Sequence, residues 1–311
     1  METILELVLA EKTCRKQWNG WKNILHEAMI LYLQNIFLAA LAYTLGASAP
    51  AHLGAPFNAL AFWLGLVSIA LNQTGMFLLA EVFRPRNEPF FKDQPPQRQE
   101  TLRNAALYAS IAALASSAFL IYFLYAQKIL AFSALLVYLA SFALILFYAV
   151  PPMRLLQRGL GEAALAAHLA YIAPAIGFLL QFKAQHLLLI LIATPLTALA
   201  LSYLLVVNFA TFAQDEFYQR ATLLRQMTWE RAAPLHHALL AFAYVFWAIS
   251  IARRFSMLKP ALFTLPFAAL QIILVQRVTR GAKPNWNLLA ANAAAVFGLT
   301  AYFITLNIWI R

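Results

Sequence analysis

The chain has 311 residues, of which 63% are hydrophobic and only 11% charged. Soluble domains run at about 45–50% apolar and about 25% charged, so this sequence has too little polar surface to cover itself in water. Its net charge of +11 is scattered over segments between apolar runs. That scatter argues against nucleic acid as a partner and for contact with lipid headgroups or an anionic substrate.

In chain order, residues 1–22 are charged throughout. With Ile4, Leu5, Leu7, Val8, Leu9, Trp18 and Trp21 they read as a helix lying in the membrane interface or as a solvated lead-in. No cleaved signal is expected, because the first apolar run is long enough to span by itself. Cys14 stands alone, which leaves no disulfide framework and no thiolate metal site. A bilayer core of about 30 Å takes about 20 apolar residues per helix. The windows 24–45, 57–83, 104–125, 129–149, 161–181, 186–210, 235–252, 261–278 and 287–310 meet that length or nearly so. The expectation is an all-α, polytopic membrane protein with nine transmembrane helices, forming a single membrane domain over 1–311. Polar loops at 84–103 and 211–234 are long enough to carry function. Pro174, Pro195 and Pro266 fall inside spans, where kinks are tolerated if neighbours satisfy the freed carbonyls.

Nine spans put the N-terminal segment and four loops on one side. That side carries Lys12, Arg15, Lys16, Lys22, Arg84, Arg86, Lys92, Arg98, Arg103, Arg154, Arg158, Arg220, Arg225, Arg231, Arg277, Arg280 and Lys283. The other side carries Lys128, Lys183, Arg253, Arg254, Lys259 and Arg311. The bias predicts a cytoplasmic N-terminus and a C-terminus on the opposite side. Apart from Glu27, every acid falls on the cytoplasmic side, so polar chemistry is expected there.

The stretch from Tyr148 through Pro151, Pro152, Arg154, Gly159 and Gly161 to Glu162 resembles the Tyr-Ser-x-Pro-Pro-x-Arg segment, ending in Gly-x-Gly-Glu, of the UbiA superfamily of intramembrane prenyltransferases. Ala173-Pro174-Ala175-Ile176-Gly177 is similar to that family's Gly-Pro-x-x-x-Gly. The run from Asn208 through Thr222-Leu223 to Glu230-Arg231-Ala232 resembles its second motif loop. The resemblance implies nine helices in a UbiA-like bundle around an apolar tunnel. It also implies transfer of a prenyl chain from an allylic diphosphate to an aromatic or lipid acceptor. In that family two Asp-rich motifs hold Mg2+ against the departing diphosphate, dispersing the charge that develops.

This sequence departs from the pattern. Asn72-Gln73 would lie about 13 Å deeper than Glu81, nine residues on, and that register retains no acid. The better register makes Glu81 the last aspartate of the first motif and Asn87 the outer one, with Phe77 and Leu78 replacing the Asn-Asp pair. In the second motif Thr211 stands at the first aspartate and Asp215 at the second, with Glu216 beside it; a hydroxyl is a far weaker Mg2+ ligand than a carboxylate. The family's Arg-x-Pro is replaced by Asn19-Gly20-Trp21-Lys22. Glu81 and Asp215 then remain to hold one metal ion, with Arg84, Arg86, Arg154, Arg158 and Arg220 on the diphosphate, Asn208 lining the cavity and Tyr148 stabilising a carbocation. Equally open is a pair of interfacial acids bound to loop arginines, Asn208 bonding a neighbouring helix, and Tyr148 in an aromatic belt. His168 and Glu162 lie two helical faces apart on span five. His168 reads as a packed histidine or an intramembrane site; His236 and His237 read as interface residues.

Two functions follow: a divergent prenyltransferase, or a non-catalytic protein of the same fold. The second would hold a quinone, isoprenoid or pigment, with possible partner subunits in a membrane complex. A transporter is disfavoured because no repeated halves are evident.

Overall fold

The computed structural model describes residues 31–85 and 96–310, all of it helix and short connections. The N-terminal segment 1–22 with Cys14, together with Arg86 and Asn87, lies outside these residues. Nine helices among the described residues are long and apolar enough to cross a membrane. We label them α1 (Leu31–Leu53), α2 (Ala59–Val82), α3 (Pro96–Ala126), α4 (Phe132–Ala149), α5 (Gly161–Phe182), α6 (Leu187–Phe217), α7 (Leu223–Ala252), α8 (Ser256–Thr279) and α9 (Trp286–Ile310).

Burial divides them into an inner and an outer set. In α5 and α6, 78% and 72% of the apolar window is buried, against 22% in α3 and 33% in α4 and α7. Helix α1 lies inside as well, since the Tyr203 hydroxyl of α6 donates to Asn35 Oδ1 at 3.0 Å and the Tyr43 hydroxyl donates to the Phe62 carbonyl of α2 at 2.9 Å. Apolar side chains gain nothing from leaving lipid for protein, so helices in a bilayer associate through close packing and such bonds. Gly46 and Gly177 supply the closest approach. A Cβ on Gly46 would stand 2.0 Å from the Pro174 carbonyl oxygen, and one on Gly177 2.5 Å from that of Tyr43. No side chain fits there, which is why α1 and α5 can pack backbone to backbone.

The three prolines expected inside spans lie within them, at sites of different kinds. Pro195 does lie inside α6. Pro266, by contrast, falls in the first turn of an α-helical stretch that follows the 3-10 segment Ser256–Thr264, where its missing N–H costs nothing. Pro174 similarly opens the α-helical part of α5 after a π-helical turn at His168–Ile172.

The segment 211–234 is mostly helical rather than a loop. Helix α6 continues to Phe217 and α7 begins at Leu223, leaving 218–222 as the connection. Thr222 caps α7, its side chain accepting from the Arg225 N–H at 3.3 Å. Thr228, with φ 62 and ψ 166, breaks α7 ahead of its membrane portion. At the opposite end of the bundle Gln181 and Asn58 exchange two hydrogen bonds of 2.8 and 3.1 Å, and Trp309 donates to Ser48 at 2.9 Å.

Candidate functional site

The last turns of α2 and α6 and the first turns of α5 and α7 meet at one end of the bundle. Glu162, at the start of α5, joins three of them. Its Oε1 accepts from the Leu223 N–H at 2.9 Å and from Asn208 Nδ2 at 2.5 Å. A carboxylate from α5 thus satisfies an orphan N–H at the start of α7, where the helix dipole favours negative charge. The chain reaches this position through the turn after α4. There Gly159 has φ +74, and a Cβ would collide with Gln226 at 2.1 Å, while Gln226 Nε2 donates to the Arg158 carbonyl at 2.9 Å. Gln157 Nε2 donates to the Phe83 carbonyl at 3.0 Å, fixing the same turn to the end of α2.

Glu81 and Asp215 sit at helix C-terminal ends, where the dipole opposes a negative charge. Each is offset by a guanidinium. Arg84 Nη2 lies 2.7 Å from Glu81 Oε1 and 2.5 Å from Oε2, and the Tyr32 hydroxyl also donates to Oε1. Arg220 Nη1 lies 2.9 Å from Asp215 Oδ1, while the Thr211 hydroxyl donates to Oδ2 at 3.2 Å. Asp215 is 2% exposed and Glu81 18%. Tyr148, buried at the end of α4, is within electrostatic range of both Glu162 and Glu81, and Glu162 is within range of Asp215. The three acids lie at the same end of the bundle.

Other expected residues fall around this centre in different ways. Arg154 donates to Gln157 Oε1 at 3.3 Å and holds its guanidinium 5.9 Å from the Phe83 ring centroid, beside the end of α2. Arg158 is exposed and bonds the Pro152 carbonyl at 3.0 Å. Glu216 is exposed. Asn208 bonds the neighbouring helix through Glu162, one of its two expected roles. Buried Tyr148 does not sit in an aromatic belt. No motif announces Tyr32 on Glu81, and Glu162, visible as the acid that ends the Pro-Pro segment, takes a helix-joining position that the segment does not assign. Beside Asn208, Phe209 stacks on Trp229 with ring centroids 4.4 Å apart, and Trp229 touches Trp286 at 6.4 Å.

Mg2+ demands near-octahedral oxygen coordination. Both oxygens of Glu81 and both of Asp215 are already bonded to neighbours. No group of three His, Cys, Asp or Glu side chains that could hold a metal ion forms among the described residues. Mg2+ is commonly held by one or two carboxylates completed by phosphate and water oxygens, so Glu81 and Asp215 are the side chains that would hold it here.

Deeper in the bundle, Asn72 Nδ2 donates to Ser141 Oγ at 3.2 Å; Ser141 Oγ lies 2.9 Å from His168 Nε2, and His168 Nδ1 lies 2.8 Å from Gln73 Oε1. All four residues are fully buried, so His168 is a packed histidine in a neutral hydrogen-bonded chain. His236 is also fully buried, 3.0 Å from His237 Nδ1, in mid-helix rather than at the interface.

No known family profile and no curated protein matches the sequence. Solved structures do match the fold. A UbiA homolog from Aeropyrum pernix K1, in its apo form, aligns with a TM-score of 0.58 at 15% identity, over 89% of this chain and 97% of its own. A UbiA homolog from Archaeoglobus fulgidus bound to GPP and Mg2+ aligns at 0.57 and 16% identity, over 88% and 99%. The same homolog bound to DMAPP and Mg2+ aligns at 0.52 and 17%, over 90% and 99%. The protein is thus an integral membrane protein, with nine apolar helices among the described residues. Its bundle has the UbiA fold.

Proposed function

We propose that this protein is a UbiA-type prenyltransferase-like membrane protein, taking the prenyl chain of an allylic diphosphate and passing it to an aromatic or lipid acceptor. One observation carries the reading. Glu81, Glu162 and Asp215, with Arg84, Arg154 and Arg220, converge at a single end of a bundle whose fold is shared with homologs bound to GPP and DMAPP. An arginine-rich mouth suits a diphosphate, and the apolar interior suits its tail. The lysine and arginine bias puts that mouth at the cytoplasmic face and the C-terminus opposite.

A second reading rests on the arginine-paired acids and on Thr211 standing where a carboxylate would strengthen a metal site. It makes the protein a non-catalytic holder of a prenyl lipid, quinone or pigment. Incubation of the purified protein with an allylic diphosphate and aromatic acceptors separates the two. Prenylated product with release of pyrophosphate supports transfer. A prenyl lipid that copurifies stoichiometrically with no turnover supports the holder. Absence of both product and bound isoprenoid sinks both.

A further inference from the structure

Two backbone outliers bracket the passage from α6 into α7. Gln219 has φ 58, and Thr228 has φ 62 with ψ 166. Gln219 occupies the left-handed position that follows a helix, where glycine is usual. Its N–H bonds the Glu216 carbonyl at 3.2 Å, and the next N–H, that of Arg220, bonds the Asp215 carbonyl at 2.8 Å. Thr228 is the stronger outlier. Its φ and ψ lie in a region that is essentially glycine's alone, and its branched Cβ aggravates the crowding. Pro234 weakens α7 again just beyond, because it has no N–H to give the Glu230 carbonyl.

Residues 220–227 thus run between two strained joints, at the end of the bundle that holds Glu162 and Asp215. Their ties to it are mostly polar. The Leu223 N–H donates to Glu162 Oε1 at 2.9 Å, Gln226 Nε2 donates to the Arg158 carbonyl at 2.9 Å, and Arg220 pairs with Asp215 at 2.9 Å. Leu224 is the one fully buried apolar side chain of the stretch, and Gln226 is exposed. Beyond the break the chain is held by packing instead: Trp229 stacks on Phe209 with ring centroids 4.4 Å apart and planes 18° from parallel. A stretch with few buried apolar contacts opens at lower free energy than the packed elements beside it.

We infer that residues 220–227 form a strap that is strained when closed and swings about Gln219 and Thr228, both of which relax to ordinary backbone conformations as it opens. Opening breaks the bonds of Leu223 and Gln226 and uncovers Glu162. The strain lowers the cost of opening, and the polar ties offset it. The motion goes beyond the proposed function and does not depend on it, since it governs access to this end of the bundle for a transferred or a merely held ligand alike.

Hydrogen exchange read by mass spectrometry on the full chain in neutral detergent tests the strap, with peptides from α5 and the membrane portion of α6 as internal references. Amides of 223–227 should exchange well before those references. Thr228→Gly and Thr228→Ala lose the same hydroxyl contact to Glu230, but only glycine is free of the Cβ that strains the closed form. Exchange across 223–227 should therefore be about fivefold or more slower in Thr228→Gly than in Thr228→Ala. Gln226→Ala removes a tie and should speed it by about two- to tenfold, with the references unchanged in all three variants. Melting curves confirm that each variant is folded. Strap amides that exchange only together with α5 and α6 overturn the inference, because no local unit then exists. Equal rates in the glycine and alanine variants, or faster exchange in glycine, also overturn it, because Thr228 then keeps its conformation on opening. No ligand is present in these measurements, so neither failure touches the proposed prenyl transfer.

Discussion

Two of the polar regions in this bundle follow opposite rules. The mouth is charged and partly wet, and the two acids on its α2 and α6 sides are each matched to a guanidinium. The inner cluster of Asn72, Gln73, Ser141 and His168 carries no acid, and all four side chains are fully sequestered, joined in a chain by hydrogen bonds of 2.8 to 3.2 Å. The difference follows from solvation. At the mouth, water and neighbouring dipoles keep the cost of a charge low enough for arginine pairing to offset it. At mid-depth an unpaired ion is far more costly, so only neutral donors and acceptors persist. The inner chain still leaves two orphans, since Asn72 Oδ1 and Gln73 Nε2 have no hydrogen-bond partner. Reversing both amides moves the open donor to one end and the open acceptor to the other without satisfying either.

The sharpest way to break this contrast is to put a charge where only neutral groups stand. Ser141→Lys places an ammonium beside Asn72 and His168, in a cluster that holds no acid to pair it. A buried unpaired charge costs about 3–5 kcal/mol, so the variant should lose most folded protein in detergent, read by thermal melting and size-exclusion chromatography. A variant with an unchanged melting temperature would mean that this region is hydrated and that the contrast is false.

Glu162→Ala tests the join between the regions, with a smaller effect. It leaves the half-buried Asn208 amide and the Leu223 N–H without their acceptor, and fully buried unsatisfied groups cost about 1–3 kcal/mol, the upper end of what is expected here. The melting temperature should fall. Glu162→Gln, which keeps one acceptor oxygen, should recover much of the loss. If alanine and glutamine behave alike, the carboxylate does not cap α7 as its geometry indicates.

The fold was readable because its causes are local and repeated. Apolar windows and the Pro-Pro segment gave all nine helices and the bundle type, and the windows erred mainly at polar ends. Helix α7 begins twelve residues before its window because Thr222 caps it and Glu162 holds its first N–H, neither of which adds hydropathy. The site was readable in part. Glu81, Asp215, Arg84 and Arg220 stood out as charges at span ends, whereas their pairing within each helix end depends on rotamers that composition does not encode. Tyr32 could not be found, because a tyrosine near the start of an apolar span carries no mark of a partner 49 residues away. The deep register at Asn72-Gln73 holds no acid, and its use as a hydrogen-bonded partner for His168 required knowing which face of α2 meets α4 and α5.

The smallest expected effect falls on the mouth's own pair. Glu81 and Arg84 are three residues apart at a helix end, both partly open to water, and exposed pairs of this kind contribute about 0–1 kcal/mol. Glu81→Gln should therefore leave the melting temperature almost unchanged, and raising salt should leave the difference from the parent protein small, since little Coulomb attraction is there to screen. Asp215→Asn, at a carboxylate that is 2% exposed, should cost more, because Arg220 and Thr211 then face a weaker acceptor in a drier place. The order of these two substitutions tests whether burial, rather than charge alone, sets the energetics at the mouth. If Glu81→Gln is the more damaging, the α2 end is the drier one, and the Tyr32 hydroxyl rather than Arg84 is its decisive partner.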